Sequence, residues 1–305
     1  MLKLVEQALV GQEKNRIVVK YRKKVSFPYD KQIYSTLHLL KTGMSEEKIR
    51  EMKFPLKYLD ILIKNHLIYD YKGKYKNTPV EKQEYFLSQF GNAEVLQKKL
   101  DQSSILVLGV GGIGSVIIEN LVGLGIKNFV LIDADKVEIS NFNRQFIYFP
   151  KDIGKPKVDI AKKYILYKNK EAKIKTYNQF ISCQKDIANI LEKNKVDIII
   201  NAADTPKDIE KILYDSVQKI PIISGGVGFD LGNIKLLTEK NKTNTSNSEL
   251  KVLEYPSQTV ASLSFTNTII ASLMALKAFQ IITKIDAFSE KNISIDFKNL
   301  KIYNN

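Results

Sequence analysis

The chain has 305 residues, room for one large α/β core plus a smaller module, since single cores stop growing near about 250–300 residues. Apolar residues make up 44% and charged residues 26%, which excludes a disordered or low-complexity chain; the single cysteine, Cys183, excludes a disulfide framework and a four-thiolate zinc site and suits a reducing cytoplasm. Of the formal charge of +14, most sits at the front, where residues 1–100 carry 20 Lys or Arg against 11 Asp or Glu, a balance open to an anionic partner or to a solvated lysine-rich face.

Met1 to Val10 lacks a basic region followed by an apolar stretch and a small-residue cleavage site, so no export signal is expected. Arg16 to Val25 alternates as a strand or pair of strands. Ile33, Leu37 and Leu40 have helical spacing from Lys31, and Ser45 followed by Glu46, Glu47 and Lys48 reads as the capped start of a second helix. A third helix is expected over Leu56–Ile63, and Leu67 to Tyr75 as two short strands turning at Gly73. Residues 1–77 thus outline a small winged-helix-like module, and 78–102 a polar helical connector. Such modules often read DNA through a helix in the major groove. The segment Phe54 to Lys64 offers few base-reading side chains, so the sequence points away from nucleic acid and towards an extended peptide held at a strand edge.

From Ser104 the pattern changes. Ile105–Leu108, Phe129–Ile132, Lys173–Tyr177, Val196–Ile200 and Ile220–Ile223 are apolar strand candidates alternating with helical spans, as at Ile113–Gly123. Residues 103–305 are therefore expected to form a doubly wound, mostly parallel α/β sheet covered on both faces. Thr243 to Ser248 reads as a polar loop. Thr266 to Thr283, interrupted by Ser272, Lys277 and Gln280, reads as a buried or interface helix, not a membrane span.

The chemistry concentrates after the first of these strands. Ile105–Leu108 runs into Gly109-Val110-Gly111-Gly112-Ile113-Gly114, a turn whose glycines let the backbone approach phosphate at a helix N-terminus. Asp133 lies 19 residues past Gly114, where a carboxylate can accept ribose hydroxyls, and Asp135 follows it. These features alone suit a dinucleotide enzyme equally well. Ser140-Asn141-Phe142-Asn143-Arg144-Gln145 and then Lys157, 13 residues beyond Arg144, add two cations that could neutralise a triphosphate and a departing pyrophosphate. His38 and His66 both fall in the N-terminal module, so histidine acid/base chemistry is not expected.

Taken together, Gly109, Gly111, Gly112, Gly114, Asp133, Asp135, Ser140 to Gln145, Lys157, and Asp204 in Asn201-Ala202-Ala203-Asp204 resemble the superfamily of ubiquitin-activating enzymes and the bacterial ThiF and MoeB adenylyltransferases of thiamin and molybdopterin biosynthesis. The resemblance implies a Rossmann-like adenylation domain binding ATP and Mg2+. It implies ribose binding by Asp133, triphosphate contacts by Asn141, Arg144 and Lys157, and a magnesium-associated carboxylate at Asp204, although Thr205 stands where many members have Asn. A substrate carboxylate is itself the nucleophile in this chemistry, so Arg144, Lys157 and Asp204 are the expected catalytic set. The two cysteine pairs of zinc-bearing members are missing, so no zinc is expected. Cys183 lies ahead of the loop where thioester-forming members hold their cysteine, and reads as structural.

In layout the chain resembles the peptide-adenylating enzymes of microcin C maturation, with a peptide clamp ahead of the adenylation domain. That implies ATP-dependent adenylation of the C-terminal carboxylate of a ribosomally made precursor peptide by a cytoplasmic homodimer. Lys82-Gln83 stands where the family has Arg-Gln reaching the partner subunit's nucleotide, and Lys lacks the planar fork of Arg. The alternatives are adenylation of a small sulfur-carrier protein, a non-catalytic leader-peptide-binding partner of a cyclodehydratase, and a winged-helix transcription factor with a dinucleotide-sensing domain. The last leaves Arg144 and Lys157 without a role.

Overall fold

The computed structural model describes residues 1–217, 219–238, 262–285 and 292–304; the loop expected at Thr243–Ser248 lies outside them. The chain divides into two compact units, residues 1–98 and 99–305.

In the first unit, strands β1 (Leu2–Leu4), β2 (Leu9–Glu13), β3 (Arg16–Lys20) and β4 (Lys24–Pro28) precede helices α1 (Lys31–Leu40), α2 (Glu46–Glu51) and α3 (Leu56–Lys64). The strand pair expected over Arg16–Val25 is present, joined by β2 into an antiparallel sheet in the order β2-β3-β4. Helix α1 starts where the Asp30 carboxylate accepts the Gln32 and Ile33 amides, and α2 where the Ser45 hydroxyl accepts that of Lys48. The hairpin expected to turn at Gly73 does not form. Its first half is β5 (Ile68–Asp70), which pairs antiparallel with β1, because Leu2–Leu4 supplies a partner 66 residues away in sequence. Its second half is held instead by Glu84, whose buried carboxylate accepts the Lys74 and Tyr75 amides. Leu4, Ile17, Phe27, Leu37, Leu40, Ile49 and Leu62 fill the core. The polar connector is two helices, α4 (Glu81–Ser88) and α5 (Ala93–Gln102), separated at Gly91.

The second unit is an α/β sandwich. Its elements run β6 (Ser104–Leu108), α6 (Gly112–Gly123), β7 (Asn128–Ile132), α7 (Lys157–Lys168), β8 (Lys173–Tyr177), α8 (Gln184–Leu191), β9 (Ile198–Asn201), α9 (Ile209–Ser216), β10 (Ile222–Val227), β11 (Leu231–Leu237), α10 (Ser264–Thr283), β12 (Ile293–Asp296) and β13 (Lys301–Asn304). The eight strands form one sheet in the order β13-β12-β11-β10-β9-β6-β7-β8. The five strands β8, β7, β6, β9 and β10 are parallel, and β11 to β13 continue antiparallel. The chain reverses winding direction between β6 and β9, the place where open α/β sheets bind ligands.

The apolar runs read as strands because both faces are covered. Leu106, Leu108, Val130, Ile132 and Ile199 point into a core with Ile187, Ile190, Ile212 and Leu213 of α8 and α9. Helix α10 is long and apolar enough to cross a bilayer by composition, but Ile270, Ala271, Met274, Ala275 and Ala278 are buried and the helix packs on α6, β10 and β11.

Candidate functional site

Three strand ends build the site. The amide of Gly109, just past β6, donates to Ile132 O at the end of β7 (2.8 Å), and Ala202 N beyond β9 donates to Leu108 O (2.8 Å). Gly109 therefore lies between the Asp133 and Asp204 loops. Its φ of +84° belongs to the left-handed region, and a Cβ there would lie 2.8 Å from the Ala202 and Ala203 backbone, so glycine is required twice over. A Cβ at Gly114 would overlap the Gly109 carbonyl oxygen. Helix α6 begins at Gly112 with no side-chain cap, leaving its first amides directed at the sheet edge.

Asp133 organises this turn. Its carboxylate accepts Val110 N (2.6 Å) and Asp135 N (2.7 Å), and Tyr148 Oη donates to Val110 O (2.7 Å). Burial raises the Asp133 carboxyl above its ordinary value, opposed by the Lys157 ammonium and by the two amides. Burial, with the nearby charges of Asp133 and Asp135, holds the Tyr148 hydroxyl well above the ordinary phenol range.

Lys157 opens α7. It is 6% exposed, its Nζ meets Asp135 Oδ2 at 2.7 Å, and its amide donates to Asp135 O (2.9 Å). Asp135 is largely exposed, so the pair presents one buried cation and one solvated anion to the sheet edge. Arg144 lies against the glycine turn, its Cδ 3.3 Å from where a Gly112 Cβ would stand, with Nη1 donating to Ser140 O and Asn143 Oδ1 (both 2.8 Å). Asn141 is buried and its Oδ1 accepts the Glu138 amide (3.0 Å), so only its NH2 group could reach a phosphate. Asp204 is exposed, its Oδ1 accepting the Thr205 hydroxyl (3.2 Å). Among the described residues no three His, Cys, Asp or Glu side chains gather into a self-sufficient metal site. A lone strand-end carboxylate fits a magnesium ion, which is usually held by one or two carboxylates and the phosphates it accompanies.

A nucleotide-type sheet edge carrying Arg144 and Lys157 is in place, and residues 82–305 match the ThiF family. The chain belongs to the ThiF family. Related ThiF-type proteins include the adenylyltransferase and sulfurtransferase UBA4 of Scheffersomyces stipitis, 34% identical over 207 residues, covering 67% of this chain and 43% of that protein. The SUMO-activating enzyme subunit 2 of Dictyostelium discoideum is 33% identical over 147 residues, 48% of this chain and 22% of its own. The chain thus spans less than half the length of the curated relatives it matches. In solved structures the fold matches E. coli MccB with ATP (TM-score 0.78, 23% identity) and the Microcin C7 biosynthetic enzyme MccB in complex with N-formylated MccA (TM-score 0.80, 22% identity). Each comparison covers 100% of this chain and 96% of the other.

Two further residues border the glycine turn, and only one of them, Asn267, escapes a reading of the sequence. Asn267 of α10 places its Oδ1 2.5 Å from a Gly112 Cβ position, its NH2 donating to Leu263 O and Ser262 Oγ. Gln145, 2% exposed, borders Gly111 with a buried Oε1 that has no hydrogen-bond partner among the described residues. Gln145 stands inside the recognised Ser140–Gln145 segment. Asn267 has no local signature, because only the docking of α10 on α6 brings it to the turn.

Proposed function

We propose that this chain is an ATP-dependent adenylyltransferase that activates the C-terminal carboxylate of a ribosomally made precursor peptide. The observation that carries the reading is the pairing of a Rossmann-type glycine turn with two cations, Arg144 against Gly112 and buried Lys157 beside Asp135. A dinucleotide with its two phosphates does not call for that charge; a leaving pyrophosphate does. Asp133 would accept the ribose hydroxyls, and the first amides of α6 would face the phosphates.

In the reaction a carboxylate oxygen of the peptide attacks the α-phosphorus. A C(O)O–P bond forms as the bond to the β-phosphate oxygen breaks, and the electron pair leaves with pyrophosphate. Arg144 and Lys157 meet the charge that develops there, and no protein nucleophile is needed. Magnesium would be held by Asp204 and would supply further neutralisation of the phosphates.

A peptide substrate is favoured by the likeness to MccB, solved with N-formylated MccA. It is also favoured by α3, whose exposed positions include Leu56, Ile61 and Ile63 and carry no Arg, Asn or Gln of the kind that reads base edges. A small sulfur-carrier protein is the second reading, favoured by the identity to UBA4. We place the enzyme in the cytoplasm, and we read it as a homodimer, the dimer supported by exposed Ile139, Phe146, Phe149 and Ile153 on the loop between β7 and α7.

The test is ATP–pyrophosphate exchange with candidate peptides. Exchange is expected only with a free C-terminal carboxylate, and C-terminal amidation should abolish it. Release of inorganic phosphate in place of pyrophosphate, or exchange indifferent to the peptide, would overturn the assignment. Exchange with a carrier protein alone would select the second reading.

A further inference from the structure

Behind the Asp204 loop runs a chain of polar side chains. Ala203 N donates to Asn201 Oδ1 (3.3 Å), Asn201 Nδ2 to Ser224 Oγ (3.0 Å), and Ser224 Oγ to Glu210 Oε1 (2.8 Å), while Lys235 Nζ meets Glu210 Oε2 at 2.8 Å. Donor and acceptor chemistry leaves one assignment. A carboxylate can only accept, so the Ser224 hydroxyl must donate to Glu210 and accept from the Asn201 NH2, which turns Asn201 Oδ1 towards the Ala203 amide. Asn201 and Ser224 are each 2% exposed and face one another across β9 and β10.

The placement of the ends gives the chain its meaning. Asn201 closes β9 immediately before the 202–208 loop, and Glu210 lies in the first turn of α9 immediately after it. Ser224 ties both stems of the loop together from a neighbouring strand. The backbone so held, Ala202 and Ala203, is the same one that stands 2.8 Å from a Gly109 Cβ position and precedes Asp204. Dispersion packing would need none of these polar groups, and burying them without partners is costly.

We infer that Asn201, Ser224 and Glu210, held in turn by Lys235, are positioning residues that fix the Asp204 carboxylate for the magnesium carried with ATP. This rests on the reading of Asp204 given above. None of the four is among the residues assigned above to the nucleotide; they act through the 202–204 backbone.

The experiment uses the full chain and measures ATP affinity by calorimetry with magnesium and with EDTA, for the native protein, Ser224→Ala, Glu210→Gln, Asp204→Asn and Ser224→Ala combined with Asp204→Asn. Ser224→Ala is expected to reduce the magnesium-dependent gain in affinity by about tenfold or more, as losses of groups that orient a metal ligand typically do. Affinity in EDTA should stay within about twofold, since the glycine turn is untouched. In the Asp204→Asn background Ser224→Ala should have no further effect, a non-additivity that a merely structural residue would not produce. Glu210→Gln, on a half-exposed side chain, should show a smaller loss in the same sense and carries the test should Ser224→Ala not fold. A full magnesium gain in both relay variants, or additive losses in the double variant, overturns the inference while leaving adenylation standing. A native chain that binds no ATP overturns both.

Discussion

At the scale of single residues, the cations are the most exposed to test. On the proposed mechanism Arg144 and Lys157 meet charge that appears only as pyrophosphate departs, so replacing either by Ala should lower the rate of pyrophosphate release more than it weakens ATP binding. Unchanged turnover in both variants would remove them from the mechanism. Asp133 makes a second prediction. Burial raises its carboxyl, so its contribution to stability is fully present below the unfolded aspartate value of about 3.9 and is lost as pH rises through the higher folded value. The thermal midpoint of the native chain minus that of Asp133→Asn should therefore fall as pH is raised from about 4 to about 6. A rising difference would mean that the Lys157 ammonium and the two amides outweigh burial.

At the scale of elements, the join of β6 to α6 is the part least tolerant of change. Gly114→Ala would drive a methyl group into the Gly109 carbonyl, a backbone atom that cannot move without opening the turn. It should cost about 1–3 kcal/mol, as overpacking does, and abolish ATP binding. Gly123, at the other end of α6, has nothing within 4 Å of a Cβ position, and Gly123→Ala should be neutral or stabilising by up to about 1 kcal/mol. Urea midpoints of the two variants measure the contrast. Equal losses would place the strain in the helix as a whole and not in the turn. Strand assignment followed the same local logic. The runs Ile105–Leu108 and Phe129–Ile132 were legible because a strand buried on both faces must be apolar throughout. Strands β11 and β12 alternate or mix polar groups, as at Gly232-Asn233-Ile234-Lys235, and were missed.

At the scale of the molecule, the proposed function gives the two units different partners, a nucleotide for one and a peptide for the other. The full chain should bind its precursor peptide in fluorescence anisotropy and should not bind duplex DNA specifically at about 150 mM salt, where nonspecific phosphate attraction is suppressed. Specific DNA binding without peptide binding would sink the clamp and revive a regulatory role. Holding the peptide at a clamp would raise the effective concentration of its terminus at the nucleotide, so loose recognition near the reacting atom would suffice.

Much of the candidate site was legible because its parts sit in short stretches whose geometry is local: a glycine turn after a strand, an aspartate ending the next strand, cations at set spacing beyond it. What depended on long-range pairing was not. The segment Leu67–Tyr75 looked like a hairpin by its own pattern, and only the presence of Leu2–Leu4 beside it turned Ile68–Asp70 outward to another partner. Asn267 at Gly112, and the line from Lys235 through Glu210 and Ser224 to Asn201, join residues from separate elements whose polar character is unremarkable one at a time. The amino-acid sequence by itself determined the parallel α/β core and the glycine turn after its first strand, since both follow from apolar runs and backbone freedom. The tertiary structure alone decided which distant polar groups meet, because a buried hydrogen bond depends on where two backbones are brought together and leaves no period in either sequence.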